Sequence, residues 1–202
     1  ICAPQTLLLI QLKVMKIGNF DTDKKVLIIA EIGNNHEGNF ELAKEMIEAA
    51  AEAGADAVKF QTFRTEHYIN KLEQKRFSRL KSFELDFFQF EKLSIFAKEL
   101  GLFFISTPFD LDSAKVLSNF VDVLKISSSD NNFFPLVERI SGYKIPVILS
   151  TGLLDLSGIQ KTVRIFEKAW SRDFIKQNLA LLHCVCSYPV PVEEANLLAI
   201  KS

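Results

Sequence analysis

The sequence predicts an α/β protein of the TIM (β/α)8 barrel class, with about six β/α units in its 202 residues. From residue 26 onward, short apolar runs rich in β-branched residues recur, and a segment with 3.6-residue periodicity follows each run. The runs are apolar at nearly every position, which is typical of parallel strands covered on both faces. The alternative parallel fold, a doubly wound dinucleotide-binding sheet, is disfavoured because no G-x-G-x-x-G fingerprint follows the first run.

Strands are expected at 26–31, 57–61, 102–107, 121–127, 146–150 and 179–183. Helices are expected between them, at about 39–53, 89–100, 111–119, 133–141 and 156–170. Asn39 and Asp110 are candidate N-caps, and Gly54 and Gly101 stand where a left-handed residue ends a helix. Eight such units need about 260–280 residues, so we expect the last two strands of the barrel to be missing from this chain.

Residues 1–25 are expected to form an N-terminal strand or hairpin segment, and residues 26–202 the partial barrel. The apolar run at 7–10 is too short for a signal peptide or a membrane span and is interpreted as a first strand. The long segment 62–88 follows the second strand on the side where loops of this fold build active sites. It is either a lid over the site or a solvated surface excursion.

Composition argues against several partners. The chain has 24 basic and 25 acidic residues, so it lacks the basic excess that nucleic acid or an anionic membrane requires, and neither partner is expected. Three cysteines (Cys2, Cys184 and Cys186) without framework spacing favour a reducing, cytoplasmic location. A zinc site beside His183 is not expected, because on an extended segment His183 faces away from Cys184 and Cys186.

Polar side chains stand at the carboxyl end of every predicted strand, where a buried strand has no packing reason to carry them. In a barrel these ends converge on one mouth, which is where enzymes of this fold place their chemistry. The residues are Glu31, Lys59, Gln61, Ser106, Thr107, Lys125, Ser127, Ser128, Ser150, Thr151 and His183.

Two lysines are expected to face this mouth, Lys59 and Lys125, because alternate residues of a strand share a face. Unpaired ammonium groups repel each other and are costly to desolvate, so an anion between them relieves both costs. The alternative is an ion pair of Lys59 with Glu31, or of Lys125 with Asp130, and no ligand. Further contacts to the phosphate and carboxylate of an anion are available from the hydroxyls of Thr107, Ser128 and Ser150.

Six ordered motifs resemble those of the sialic acid synthase family, which includes N-acetylneuraminate, legionaminic acid and pseudaminic acid synthases and spore-coat polysaccharide proteins. The resemblance runs from about residue 16 to the end of the chain. The motifs are AEIGNNHEG at 30–38, AGADAVKFQ at 53–61, STPFD at 106–110, KISSSD at 125–130, LSTG at 149–152, and LHC at 182–184 followed by YP at 188–189.

The resemblance implies a barrel enzyme that binds phosphoenolpyruvate, a divalent metal ion (Mn²⁺ or Mg²⁺) and an open-chain N-acetylmannosamine-like sugar, with no organic cofactor. Carbon 3 of phosphoenolpyruvate attacks the sugar aldehyde, water adds to carbon 2, and the tetrahedral intermediate expels phosphate by C–O cleavage. A homodimer is expected for a full-length enzyme.

By position, the resemblance assigns catalytic roles to Glu31, Lys59 and Lys125. The phosphoenolpyruvate contacts are Lys59, Thr107, Lys125, Ser128 and Ser150. The sugar contacts are Gln61, Asp130 and Tyr188. Where the family often has Gly-Ser-Gly-Glu, this chain has SSSD at 127–130, and Asp130 is one methylene shorter than Glu, which leaves the sugar open. Cys186 stands where some members carry Asn.

The resemblance places the two metal-binding histidines on the seventh and eighth strands, beyond Ser202, and a C-terminal antifreeze-like domain often follows. No metal ligand is therefore expected in this chain, and little synthase activity from it alone. Two alternatives stay open: a class I aldolase that forms a Schiff base through Lys59 or Lys125, and a non-catalytic partial barrel that only binds a ligand or partner.

Overall fold

A short hairpin precedes the main sheet. The computed structural model describes residues 15–201, in which β1 (Lys16–Ile17) pairs antiparallel with β2 (Phe20–Asp21). The hairpin lies within the expected segment 1–25, and the predicted strand at 7–10 lies outside the described residues. Met15 and Ile17 are buried in one cluster with apolar residues near the amino ends of four strands, so the hairpin closes that end of the sheet. Those four residues are Ala57, Ile105, Val123 and Ile148.

Six parallel strands form the main sheet in the order in which they occur in the chain. They are β3 (Ile29–Gly33), β4 (Ala57–Thr62), β5 (Phe103–Pro108), β6 (Val123–Ile126), β7 (Val147–Ser150) and β8 (Leu179–Leu182). Within the described residues β3 and β8 form the two edges of this array. Sequential parallel strands joined through helices are the repeating unit of a (β/α) barrel, so the predicted fold class is confirmed.

Eight helices connect the strands within residues 15–201. They are α1 (Phe40–Glu52), α2 (Thr65–Tyr68), α3 (Gln74–Phe83), α4 (Phe87–Glu99), α5 (Leu111–Leu117), α6 (Phe134–Tyr143), α7 (Leu156–Ala169) and α8 (Arg172–Asn178). The five predicted helices are present, and the predicted caps hold: Asn39 accepts from the Leu42 amide and Asp110 from the Ser113 amide. No helix of the described part is long and apolar enough to cross a bilayer.

Three helices were not predicted. Helix α3 has a stripe of only three apolar residues (Phe77, Leu80 and Phe83), none fully buried, within an otherwise polar segment. Helix α2 has only four residues. Helix α8 runs directly into β8 without a turn signal between them. The expected start of the first strand at residue 26 was wrong, because the strand begins at Ile29 and both Val26 and Ile28 are exposed.

The strands present different residues to the two faces of the sheet. The outer face packs against the helices in the larger of two apolar clusters, through residues such as Val58, Phe60, Phe104, Leu124 and Leu149. The inner face is apolar only near its amino end and becomes polar toward its carboxyl end. This change along one face confines the polar side chains to the mouth of the barrel.

Candidate functional site

Lys59 and Lys125 lie on the same face of the sheet. Lys59 pairs in register with Ile105, and Ile105 pairs with Val123, two residues before Lys125. Because side chains alternate along a strand, Lys125 shares the face of Val123 and therefore that of Lys59, one layer closer to the carboxyl edge. The register also gives this face Gln61, Thr107 and Ser150.

Lys59 forms an ion pair with Glu31. Its Nζ lies 2.6 Å from the Glu31 Oε2, and the two residues are direct neighbours in the β3–β4 register. The Lys59 side chain is 12% exposed, whereas the Glu31 side chain is 52% exposed. One of the two predicted ion pairs is thus present. No contact within salt-bridge distance joins Lys125 to Asp130 in the part of the chain that the structure describes.

Lys125 is the electrostatically strained group of this face. Burial, followed by the charge of Lys59, lowers the pKa of its ammonium group to about 8, and the charges of Cys184, Glu31 and Asp130 only partly oppose this. Its Nζ donates to the carbonyl of Ile126 at 3.3 Å. A buried ammonium group close to a second cation attracts an anion, which would restore the favourable surroundings that burial removed.

Thr107 places an unpaired hydroxyl beside these lysines. The residue is 2% exposed, and its Oγ1 has no hydrogen-bond partner within residues 15–201. An unsatisfied buried hydroxyl costs about 1–3 kcal/mol, which a ligand or water oxygen would recover. Its neighbour Ser106 points to the helix side, where its hydroxyl lies 2.8 Å from the Thr62 hydroxyl. The expectation that Ser106 joins the mouth was wrong, because adjacent strand residues face opposite sides.

In the loop after β6, Asp130 and Ser128 have different partners. The hydroxyls of Ser127 and Ser129 both donate to Asp130 Oδ2, the latter at 2.8 Å. Ser128 faces the loop after β7, since a Cβ added to Gly152 would lie only 2.7 Å from the Ser128 hydroxyl. Asp130 is therefore held by two serine hydroxyls, while Ser128 lines the contact between the loops after β6 and β7.

Other predicted site residues are placed less centrally. Tyr188, after β8, is 98% exposed, and its contact with the sugar stays a prediction. His183 bonds through Nε2 to the carbonyl of Ala195 at 2.9 Å. Thr151 donates its hydroxyl to the carbonyl of Leu182 at 2.9 Å, which anchors the loop after β7 to β8.

The segment 62–88 lies against the mouth. Tyr68 of α2 packs between Phe63 and Phe109, with ring centroids 5.6 and 4.7 Å apart. Burial, followed by the charge of Asp130, raises the pKa of the Tyr68 phenol, and the charge of Arg76 of α3 opposes the rise. Both Tyr68 and Arg76 are therefore near the predicted site, although the sequence offered only their position in a long insertion.

Asn131 is a further residue that the sequence did not single out. Its side chain is buried, and it donates to the carbonyls of Ser150 and Gly152 in the loop after β7. An asparagine next to Asp130 in a turn is ordinary in sequence terms, since both residues favour turns. Only the three-dimensional contact reveals that it joins two loops of the site.

A metal site cannot be built on the predicted catalytic residues. Within residues 15–201 the group of possible ligands that lies close enough together is His67, Asp110 and Asp112, which excludes Glu31 and Asp130. Both carboxylate oxygens of Asp110 already accept hydrogen bonds, which come from the Ser113 amide and hydroxyl and from the Arg64 amide. His67 and Asp112 line a cleft together with the cations Arg64, Lys81 and Lys115 and the carboxylates Glu66 and Glu84. Asp110 serves as the N-cap of helix α5, with both of its oxygens bonded, so the cluster does not fit the implied metal.

Comparison with known proteins identifies the family. The model of the NeuB family matches residues 46–202, which is most of the chain. This chain belongs to the NeuB family. The NeuB match includes β4 through β8, which are five of the six strands of the sheet. These five strands and the loops after them carry the lysines, the hydroxyls and Asp130 described above. The resemblance to sialic acid synthases predicted from the motifs is confirmed.

Several NeuB-family relatives are similar over nearly the whole chain. An uncharacterised protein of Methanocaldococcus jannaschii is 41% identical and covers 93% of this chain, with 55% of its own length matched. The N,N'-diacetyllegionaminic acid synthase of Campylobacter jejuni is 37% identical over 89% of this chain and 57% of its own length. The chain therefore spans about half the length of the curated relatives that it matches.

Solved structures agree on the fold. The N-acetylneuraminic acid (sialic acid) synthetase of Leptospira borgpetersenii superposes with a TM-score of 0.85 at 35% identity, covering 94% of this chain and 65% of that one. A truncated 3-deoxy-D-arabino-heptulosonate 7-phosphate synthase of Thermotoga maritima gives a TM-score of 0.60 at 14% identity, a likeness of fold alone. The NeuB-family chain is thus a (β/α) barrel in architecture as well as in sequence.

Proposed function

We propose that this chain is the phosphoenolpyruvate-binding part of a synthase that condenses phosphoenolpyruvate with an N-acetylmannosamine-like aldehyde to give a nonulosonic acid and phosphate. The observation that carries the proposal is Lys125, a buried ammonium group destabilised by Lys59 and left next to the unpaired Thr107 hydroxyl. Such a site is unfavourable when empty and favourable around a small, multiply charged anion. Membership of the NeuB family supports phosphoenolpyruvate as that anion.

Each group has a task in this reaction. Lys59 and Lys125 neutralise the phosphate and carboxylate, and the hydroxyls of Thr107, Ser128 and Ser150 orient them. As carbon 3 bonds to the aldehyde carbon, the aldehyde oxygen takes up a proton. Water then adds to carbon 2, and the bond from carbon 2 to the phosphate oxygen breaks.

Glu31 is suited to the proton steps. It is held against Lys59 at 2.6 Å and remains half exposed, so it reaches both the anion site and solvent. Gln61 and Asp130 flank the same mouth and are proposed to contact the sugar, together with Tyr188. We propose Mn²⁺ or Mg²⁺ as the metal, a full-length homodimer and a cytoplasmic location, and we assign no described residue as a metal ligand.

Binding of phosphoenolpyruvate to this chain, measured by isothermal titration calorimetry, tests the proposal. Replacing Lys125 with Met should weaken binding by about 10- to 100-fold, since a charge-assisted contact contributes about 1.5–3 kcal/mol. Lys168→Met, which removes the same charge from an exposed position on α7, is the matched control and should change the affinity less than 2-fold. Absence of binding by the wild-type chain, or equal losses in both variants, would refute the proposal.

A class I aldolase is the second candidate, and one observation favours it. Schiff-base catalysis needs a lysine whose pKa is lowered by burial or by a nearby cation, and Lys125 has both features. Borohydride reduction in the presence of pyruvate separates the two: an aldolase gains the mass of a reduced pyruvyl adduct on Lys125, and a synthase does not. Because this chain alone is expected to have little synthase activity, a non-catalytic barrel is distinguished in the full-length protein, which would then bind phosphoenolpyruvate without releasing phosphate when sugar and metal are supplied.

A further inference from the structure

Asn131 joins two loops that carry predicted phosphoenolpyruvate contacts. It lies in the turn after β6, with 1% of its surface exposed. Its Nδ2 donates to the carbonyl of Ser150, the last residue of β7, at 3.1 Å. It also donates to the carbonyl of Gly152, in the loop after β7, at 2.8 Å. Its backbone carbonyl accepts the hydroxyl of Thr162 in α7 at 2.9 Å. One buried residue therefore holds the β6 loop, the β7 loop and α7 together.

The seam that Asn131 closes is tightly packed. A Cβ added to Gly152 would lie 2.7 Å from the Ser128 hydroxyl and 2.8 Å from the Cys186 sulfur, far inside van der Waals contact. The loop with Ser128 and the loop with Ser150 are thus in direct contact at Gly152. The bonds from Asn131 to the carbonyls of Ser150 and Gly152 set the distance between these two loops.

Only a primary amide satisfies this position. Its two N–H donors match two carbonyl acceptors two residues apart in the chain. An aliphatic side chain would leave both carbonyls unpaired, at about 1–3 kcal/mol each where they are buried. On its other side the β7 loop is fixed to β8, where the Thr151 amide donates to the Leu182 carbonyl at 3.0 Å. The β7 loop is therefore attached both to Asn131 and to β8, and removing the Asn131 side chain breaks the first of these attachments.

We propose that Asn131 is a positioning residue that sets the spacing of the Ser128 and Ser150 hydroxyls for the anionic substrate, an inference that rests on the proposed function. Its own side chain bonds only to backbone carbonyls, so it acts through the two serines and not on the ligand. A hydroxyl displaced by about 1 Å loses most of its hydrogen bond to an anion, because the bond weakens steeply with distance and angle.

The test compares two buried substitutions with opposite expectations. Asn131→Ala removes both loop bonds, whereas Thr162→Val removes the hydroxyl that bonds to the carbonyls of Asn131 and Gly158 and leaves the amide bonds in place. Both variants should lower the melting temperature. At a temperature well below both melting points, calorimetry should show about a 10-fold or larger rise in the Kd for phosphoenolpyruvate in Asn131→Ala, and less than a 2-fold change in Thr162→Val.

The outcomes separate this inference from the function on which it rests. If the wild-type chain binds phosphoenolpyruvate and a folded Asn131→Ala variant binds it within 2-fold of wild type, Asn131 is only a structural anchor and the inference is overturned. If neither binds, the proposed function fails and takes the inference with it. Should Asn131→Ala not fold, Asn131→Ser decides the question, because it keeps one donor and should raise the Kd about 3-fold or more; an unchanged Kd overturns the inference.

Discussion

The affinity for phosphoenolpyruvate should fall as the pH rises above 8. The pKa of Lys125 is lowered to about 8 by burial and by Lys59, with Glu31, Asp130 and Cys184 opposing the shift. Below this pH the ammonium group is charged and attracts an anion. Above it the amine is neutral and offers no charge. Binding an anion raises the pKa of Lys125, so binding takes up a proton and is favoured at lower pH.

The expected size of the effect follows from this pKa. With a value of about 8, the charged fraction of Lys125 in the free protein falls from about 90% at pH 7 to about 3% at pH 9.5. If only the charged form binds, the Kd rises about 30-fold over this range, which is close to 2 kcal/mol. Phosphate monoesters lose their second proton near pH 6, so the charge of the ligand changes little over the same interval.

Isothermal titration calorimetry between pH 7 and 9.5 measures this effect directly. Near pH 8, titrations in buffers of different ionisation enthalpy should show a fractional proton taken up per ligand bound. The Lys125→Met variant should bind weakly and with little pH dependence, whereas Cys184→Ser should keep a pH dependence but move it to lower pH, because it removes a charge that raises the pKa of Lys125. A wild-type affinity that stays constant up to pH 9.5, or a slope that survives in Lys125→Met, would refute the reasoning.

Three further substitutions test individual features. Thr107→Val should leave the melting temperature unchanged or raise it, because it removes an unpaired buried hydroxyl, yet weaken phosphoenolpyruvate binding about 10-fold by calorimetry; a loss of stability would contradict the first part. Gly152→Ala should weaken binding and lower the free energy of unfolding by about 1–3 kcal/mol in urea titrations, because its Cβ overlaps Ser128, and wild-type behaviour would show that the seam is loose. Asp110→Ala should cost about 2 kcal/mol in the same assay by uncapping α5 and freeing the Arg64 amide, with the Kd of the folded protein changed less than 2-fold; a large change in Kd would show that Asp110 serves the site.

Local sequence features predicted most of the fold. Apolar runs locate five strands within about two residues, because both faces of a parallel strand are covered and nearly every position must be apolar. Asn39 and Asp110 mark helix starts through bonds to amides three residues away, a signal that needs no tertiary structure. Helix α3 escaped prediction because its three apolar residues, Phe77, Leu80 and Phe83, lie in a segment that is otherwise polar and buries no residue fully.

The candidate site was predicted only in part. The two-residue period of a strand put Lys59 and Lys125 on one face, and the register agrees. The same period should have placed Ser106 on the opposite face from Thr107, as the structure does. The prediction that Ser106 and Thr107 both face the mouth was inconsistent with this alternation.

The sequence by itself determined the order of the strands and of five of the eight helices, the family and which residue types gather at the carboxyl ends of the strands. Tertiary structure alone decided that Lys59 pairs with Glu31, that Lys125 is left with a lowered pKa, and that Asn131 ties the β6 and β7 loops. The physical reason is range: periodicity and caps act within a few residues, whereas ion pairing, burial and loop-to-loop bonds depend on segments about 20 or more residues apart meeting in space.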